Sequence, residues 1–357
     1  MPTLTVDGRE ITVEPGCNLI EAARRLGIEV PHYCYHPALT VVGQCRLCMV
    51  ELEGQGKLQI GCYTRAADGM VVHTRTPKVL ETRQAIMEFH LINHPLDCPV
   101  CDQSGECWLQ IYYMQHGLYE PRMVEDKVRK PKAVPLGPHV ILDAERCILC
   151  SRCTRFCDEV TGTGELGIFN RGDHSEIGLF PGTVLDNPYS GNVVDICPVG
   201  ALTDRDFRFR VRVWYLDRTR SVCPGCSRGC NIEIHTNTRR PHQSKGARVA
   251  RLKPRFNAEV NRWWLCDEGR YGFHFIDAPD RLLDPQLRED GYRPRRWEEV
   301  LPVLAERLRG YRPEECGVLL SPQLANEELY LARRLFAETL GWPHLDFRVP
   351  PRAPGYE

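Results

Sequence analysis

Short alternating stretches dominate the first 75 residues. Leu4 and Val6 alternate with polar neighbours, Asp7-Gly8 supplies a turn, and Ile11 and Val13 alternate again, so residues 3–14 read as a hairpin. Asn18 is suited to cap a helix, with Glu21 three residues on and Gly27 and Pro31 closing it. Further strands are expected at 49–52, 58–60 and 70–73, which makes residues 1–75 an α+β domain. Thr76-Pro77 pairs an N-cap with proline at the first helical position and predicts a helix running to about His94-Pro95. A second helix, 105–116, should end at Gly117, completing a helical segment over 76–119. Residues 120–139 hold Pro121, Pro131, Pro135 and Pro138 among many charges and read as a surface linker. Two cysteine-rich units follow, at 140–205 and 215–275, with the basic run 239–255 read as a surface excursion. The tail, 280–357, is expected to hold a strand at 317–320, an amphipathic helix at 326–340 and a strand at 344–349. That is one α/β unit, not a complete nucleotide-binding domain.

Composition narrows the function classes. The chain has 357 residues, 46 Lys plus Arg against 47 Asp plus Glu, and a net charge of −1. This excludes a strongly basic nucleic-acid protein and an acidic tail. No apolar run approaches the roughly 18 residues of a membrane span. Asp7, Arg9 and Glu10 break any signal-peptide core, so a cytoplasmic setting is expected. There are 18 cysteines, mostly in C-x2-C groups. In a reducing compartment such groups mean metal or redox chemistry rather than disulfides.

Four ligand sets emerge. The first is Cys34-x10-Cys45-x2-Cys48-x13-Cys62, three ligands in one loop and a fourth from a later segment, the layout of a [2Fe–2S] ferredoxin. A structural zinc site would prefer two paired ligand hairpins, and here Cys34 and Cys62 stand unpaired. The second is His94-x3-Cys98-x2-Cys101-x5-Cys107. A neutral imidazole in place of one thiolate makes such a cluster less negative and raises its potential. The bland reading of His94 is a cap or core histidine.

The third set has the bacterial ferredoxin spacing, Cys147, Cys150, Cys153 and Cys157. Forty residues on stand Asn187, Ser190, Val193 and Cys197, the last followed by Pro198. In two-cluster ferredoxins the fourth cysteine of each run serves the other cluster. Cys147, Cys150 and Cys153 therefore take Cys197, and Cys157 belongs to a second cluster whose other ligands are gone. The fourth set, Cys223-x2-Cys226-x3-Cys230-x35-Cys266, suits another [4Fe–4S] cube. Fifteen cysteines and His94 then supply one [2Fe–2S] and three [4Fe–4S] clusters, leaving Cys17, Cys157 and Cys316 as small buried apolar residues.

Other signals carry less. Gly162 to Gly167 matches the dinucleotide fingerprint, but it follows a cysteine-bearing helix and leads into a strand-like run, the reverse of what the motif needs. The arginines at 208, 210 and 212 alternate with apolar residues and read as a solvated or partner-facing edge rather than an RNA site. No Ser/His/Asp or paired-carboxylate constellation, flavin motif or P-loop stands out.

The order of these sets resembles the large iron–sulfur subunit of bacterial NADH–quinone oxidoreductase, respiratory complex I. The phrases NHPLDCPVCD, ERCILCSRC, GNVVDICPVGAL and WWLCDEGRYG carry the resemblance over residues 1–275. RLLDPQLREDG and LLSPQLANEELYLARRLF resemble the opening of the family's molybdopterin-oxidoreductase-like domain. The resemblance implies an α+β multidomain chain. It would comprise a ferredoxin-like β-grasp [2Fe–2S] domain, a helical His/Cys segment, a bacterial-ferredoxin-like repeat with one cluster lost, a molybdopterin-oxidoreductase-type [4Fe–4S] domain and a truncated α/β domain. It implies an electron wire, not catalytic alone, without FMN, NAD or molybdenum cofactor. Electrons would come from an NADH/FMN-binding subunit. A small [2Fe–2S] subunit and downstream ferredoxin-like and quinone-site subunits complete the partners. Its place would be peripheral, on the cytoplasmic side of the inner membrane, with membrane contact only through those partners. The first three clusters would form the main path and the fourth lie off it. Cys157 is commoner in related hydrogenases and formate dehydrogenases, which supply the alternative reading. Against it, the second ferredoxin cluster is gone and Glu268 stands where formate enzymes place a relay lysine. A structural or assembly module holding zinc is the remaining class.

Overall fold

The computed structural model describes residues 1–244, 246–288 and 290–347. The chain divides into two compact units, residues 1–217 with 237–244, and residues 218–236 with 245–357.

The first unit opens with a hairpin of β1 (Thr3–Val6) and β2 (Arg9–Thr12). Asp7 and Gly8 turn it with φ of 47° and 79°, both in the left-handed region that such two-residue turns require. Helix α1 (Leu19–Arg25) follows, capped by Asn18, whose side chain accepts the Glu21 N–H at 3.0 Å. Strands β3 (Met49–Leu52), β4 (Gln59–Ile60) and β5 (Val71–His73) complete a five-stranded mixed sheet in the order β2-β1-β5-β3-β4. β1 and β5 run parallel. Leu19, Ile20, Ala22 and Ala23 of α1 pack with Leu4, Val6, Val50 and Val72 into one core.

Helix α2 (Pro77–Leu91) starts at Thr76 as expected and stops three residues short of His94, which leaves His94 in a loop. It buries Val79, Arg83 and Met87, one stripe at four-residue spacing. Helix α3 (Trp108–His116) ends at Gly117, whose N–H donates to Tyr113 O. The segment 120–139 is irregular over most of its length yet tied down. Lys127 donates to the Leu91 and Ile92 carbonyls at the end of α2, at 2.9 and 2.7 Å. This satisfies carbonyls that a helix end leaves open. Its last residues form β6 (Val134–Pro135), which joins β7 (Val140–Leu142) and later β10 in a small sheet.

The rest of this unit holds α4 (Arg152–Phe156), the hairpin β8 (Leu166–Phe169) and β9 (Glu176–Leu179), α5 (Asn192–Ile196) and β10 (Leu202–Asp204). Gly162 and Gly164 lie between a helical turn and β8, so the dinucleotide-like motif has a helix before it and a strand after.

The second unit is built on the sheet β11 (Asp217–Val222), β12 (Asn231–Thr236) and β13 (Val249–Pro254). The basic run 239–255, expected to be a surface excursion, ends as a core strand. Val249, Ala250, Arg251 and Leu252 are all buried. The many charges masked that strand's short apolar pattern. Helix α6 (Asp267–Tyr271) packs near it. A hairpin of β14 (Gln286–Arg288) and β15 (Tyr292–Pro294) and the helix α7 (Trp297–Arg309) then precede β16 (Gly317–Leu320), α8 (Asn326–Arg333) and β17 (His344–Phe347). The hairpin and α7 lay outside the expected elements, although Trp297, Val300, Leu301, Leu304 and Leu308 recur at helical spacing around Pro302. β16 and β17 pair in parallel across α8, the expected α/β unit. Of the second strand's expected span, 348 and 349 lie outside the described residues. Among the described residues no helix is long and apolar enough to cross a membrane.

Candidate metal centres

Cys34, Cys45, Cys48 and Cys62 are all buried, between 1% and 6% exposed. The first three lie on the loop joining α1 to β3, and Cys62 follows β4. Arg46, between two of them, takes φ of 60°, a left-handed kink that costs a non-glycine residue about 1 kcal/mol or more. Backbone N–H groups point at the sulfurs. Tyr33 N donates to Cys45 Sγ and Cys45 N to Cys34 Sγ, both at 3.4 Å. The thiols also bond to each other: sulfur hydrogen bonds from Cys45 and Cys62 pull Cys34 down, and one from Cys62 pulls Cys48 down, while Cys45 and Cys62 are pushed up in return. All four must give up their protons to serve as metal ligands.

His94, Cys98, Cys101 and Cys107 surround one small cavity, with Asp97, Arg146 and Gly200 also in its wall. Cys98 stands at the exposed rim, while Cys101 and Cys107 are buried. Nδ1 of His94 is buried with no hydrogen-bond partner. A core histidine would normally have one, whereas a metal would take this lone pair. Burial pushes the His94 pKa down to about 4, so the ring is neutral near pH 7, as a ligand must be. Asp97 accepts from Lys132 at 2.7 Å and from Arg146 at 2.9 Å, which orders the turn between His94 and Cys98. Arg212 donates to the Cys101 carbonyl at 2.5 Å and to Pro99 O. Gly200 closes the site: a Cβ there would collide with Cys101 Sγ.

Cys147, Cys150, Cys153 and Cys197 line a second cavity together with apolar Leu142, Ile177 and Val199. Leu149 and Ser151 adopt φ of 55° and 58° between the cysteines. The first kink turns Leu149 N–H onto Cys147 Sγ at 3.3 Å. Burial raises Cys147 and Cys197 to about 12 and Cys107 to about 11, so these sulfurs become thiolates only against a cation. Cys157 is not in that wall. It is fully buried, and its thiol bonds to the Glu165 carboxylate, which also accepts from Asn187 Nδ2 at 2.9 Å and from Thr163 Oγ1. It was expected to be an apolar filler; instead it belongs to a polar cluster that includes Asn187, one of the positions where a second cluster's ligands would stand. Cys17, the other leftover in this unit, packs half-buried on the first sheet's core, and Cys316 of the second unit is buried.

In the second unit Cys223, Cys226, Cys230 and Cys266 lie within electrostatic reach of one another. Cys266 caps α6, its sulfur accepting Gly269 N–H at 3.3 Å. A Cβ on Gly269 would stand 3.0 Å from Cys223 Sγ and 3.4 Å from Cys266 Sγ, so both sulfurs converge on this glycine. Among the described residues no three His, Cys, Asp or Glu side chains come close enough to chelate a single ion. The donors of the second and third sets stand around cavities instead.

Each set falls inside a segment that matches a known iron–sulfur family. Residues 1–77 match a 2Fe-2S iron-sulfur cluster binding domain and 83–122 the NADH-ubiquinone oxidoreductase-G iron-sulfur binding region. Residues 137–203 match the ferredoxin-like domain of NADH-quinone oxidoreductase subunit 3, and 216–278 the molybdopterin oxidoreductase Fe4S4 domain. The NADH-quinone oxidoreductase G subunit of Streptomyces coelicolor is 42% identical over 97% of this chain, and the second such G subunit of Rhizobium meliloti 39% identical over 97%.

The chain belongs to the G-subunit family of NADH-quinone oxidoreductases.

It spans about two fifths of the length of those G-subunit relatives, 41% and 40% respectively. A solved chain titled as an NAD+-reducing [NiFe]-hydrogenase in the H2-reduced state is 30% identical, with a TM-score of 0.52. That likeness covers 59% of this chain and 91% of the hydrogenase chain. Family membership brings with it both 2Fe-2S and 4Fe-4S domains on mixed α/β scaffolds of small sheets. Sequence reasoning missed Gly200, Arg146 and Arg212, which shape the second site from about 50 to 110 residues away. No local pattern marks a contact made over that distance.

Proposed function

We propose that the chain is an electron-transfer subunit. It would carry single electrons from an NADH/FMN-binding subunit towards quinone within a hetero-oligomeric complex, through one [2Fe–2S] and three [4Fe–4S] clusters. The observation that carries this reading is a shared core. Cys34 and Cys45 of the first set, Cys107 of the second, and Cys147, Cys150 and Cys197 of the third all pack into one apolar cluster around Tyr33, Met87 and Tyr112. Ligands of three separate sequence motifs would not need a common dry interior if each merely held a structural ion.

Bound iron–sulfur clusters supply reversible one-electron chemistry. The chain's own residues do the rest. Cys34, Cys45, Cys48 and Cys62 would hold the [2Fe–2S] group. His94, Cys98, Cys101 and Cys107, then Cys147, Cys150, Cys153 and Cys197, and finally Cys223, Cys226, Cys230 and Cys266 would hold the three [4Fe–4S] groups. Tyr33 and Tyr112, buried with ring centroids 5.6 Å apart, exclude water from the space between the first two sets. The backbone N–H groups on Cys34, Cys45 and Cys147 sulfurs stabilise added negative charge. A further subunit would bind NADH and flavin, and quinone-site subunits would bring the complex to the membrane.

Anaerobic purification tests this. Iron analysis should give about 14 irons per chain, from one binuclear and three tetranuclear groups. The brown chromophore should bleach with dithionite, and NADH should reduce it only when a flavin-bearing partner is added. Stoichiometric zinc would defeat the reading. The likeness to the hydrogenase chain favours one alternative, a soluble NAD-linked hydrogenase or formate dehydrogenase module. It covers much less of this chain than the G-subunit matches do. Co-purifying subunits decide: membrane and flavin subunits support the first, a nickel–iron or molybdenum subunit the second.

A further inference from the structure

Arg152 and Arg155 sit on α4 inside the third ligand set, and each is only 8% exposed. Arg152 donates to the Tyr35 and Ile196 carbonyls. Arg155 donates to Thr40 O, to Cys34 O at 2.6 Å and to Cys150 O at 3.4 Å, with Nε on Ser151. Every one of these acceptors is neutral. Among the described residues no carboxylate pairs with either guanidinium, and Nε of Arg152 is buried with no partner. Glu159, a few residues on, spends its contact on Thr40 N. Arg146 at the second set shows the ordinary solution, since Asp97 and Asp143 neutralise it.

Arginine stays charged at any pH the protein meets. A buried, uncompensated cation is strongly destabilising, so a counter-charge must exist when the fold is complete. The anion-forming groups acting on Arg152 are sulfurs from two sets: Cys150 and Cys197 of the third, Cys45 and Cys34 of the first. Arg155 touches a ligand backbone from each.

Building on the ligand reading above, we infer that Arg152 and Arg155 are the shared counter-charge of the first and third metal centres, raising both reduction potentials together. Four thiolates around an iron–sulfur core leave a net anion, and each added electron deepens it. Two fixed cations between the centres favour that step at both. The second set lowers its negative charge through His94 instead. These are positioning residues, acting by field rather than by ligation.

The test is a redox titration, followed by paramagnetic resonance, of the full chain carrying Arg152→Gln, Arg155→Gln and the matching lysine variants. Glutamine keeps a hydrogen-bond donor and removes the charge; lysine keeps the charge and loses the fork. Both glutamine variants should lower the midpoint potentials of the first and third centres and leave the second and fourth unmoved. The lysine variants should stay close to the unsubstituted chain. Unmoved potentials with intact signals in both glutamine variants would overturn the inference. So would lysine variants that fall as far as glutamine. If a glutamine variant fails to assemble the two centres, its lysine counterpart decides: assembly with lysine supports the counter-charge, equal failure refutes it. Iron content and signals of the unsubstituted chain are measured first. Their absence would defeat the ligand reading, whereas their presence with unmoved potentials defeats only the charge assignment.

Discussion

Gly200 shows how little room the second site leaves. A methyl group there would run into Cys101 Sγ and press on Gln103 Cβ at 3.1 Å, so the sulfur would have to leave its place in the site. Gly200→Ala is therefore expected to lose this centre alone. Iron should fall by about four per chain while the other resonance signals persist. His94 makes a second prediction of opposite kind. His94→Cys adds a thiolate, so the cluster becomes more negative and its potential should drop in a redox titration; an unchanged signal after His94→Ala would make His94 only a cap. These two residues also mark the limit of reading the chain alone. His94 is legible because it stands just before a cysteine pair. Gly200 carries no such mark, since its meaning comes from a sulfur 99 positions earlier.

At the scale of elements, local chemistry specifies starts and stops well. Asn18 caps α1 with its side chain on Glu21 N–H, and Asn18→Ala should lower stability to denaturant by about 1 kcal/mol without changing iron content. The helix buries Leu19, Ile20, Ala22 and Ala23 between the sheet and the first ligand loop, so a larger loss, or loss of iron, would mean that the cap also positions the loop. The same reasoning misjudged β13, because the basic run 239–255 that contains it suggested solvent. Arg251 is nonetheless buried, its Nε on His235 Nδ1 at 3.0 Å across the sheet. In the segment 120–139, Lys127 locks onto the end of α2 and Lys132 onto Asp97, Asp143 and Glu145. Charge along a sequence indicates solvent only until a partner elsewhere in the chain claims it.

At the scale of the whole molecule the ligand sets divide unequally between the two units. Members of three reach the cluster around Tyr33, with Cys48 and Cys62 of the first set in the adjoining sheet core, and the fourth has its own around Ile232, Leu252 and Leu265. Metal ligation can contribute folding energy outright. Cys266→Ser should therefore remove one tetranuclear cluster and loosen residues 215–275, seen as faster hydrogen exchange there. The first three centres should keep their signals, and electron flow per flavin in an assembled complex should stay near normal. Collapse of quinone reduction with those signals intact would place the fourth centre on the path. Slow chelation should likewise release iron in two phases, one for each unit. A single phase would mean that the units are not independent.

The polar cluster of Cys157, Glu165 and Asn187 bears on history. If a second centre once stood here, three substitutions would place thiols at 187, 190 and 193 beside Cys157. Here that interior is filled by a polar cluster. Glu165, 6% exposed, is held by Asn187 and Thr163 against the very sulfur that would be needed. Reverting Asn187 alone strips a buried carboxylate of a donor, and adding thiolates sets like charges against it. Each backward step is penalised before the last one could be rewarded. An attempt to build a second centre beside Cys157 would have to remove Glu165 first.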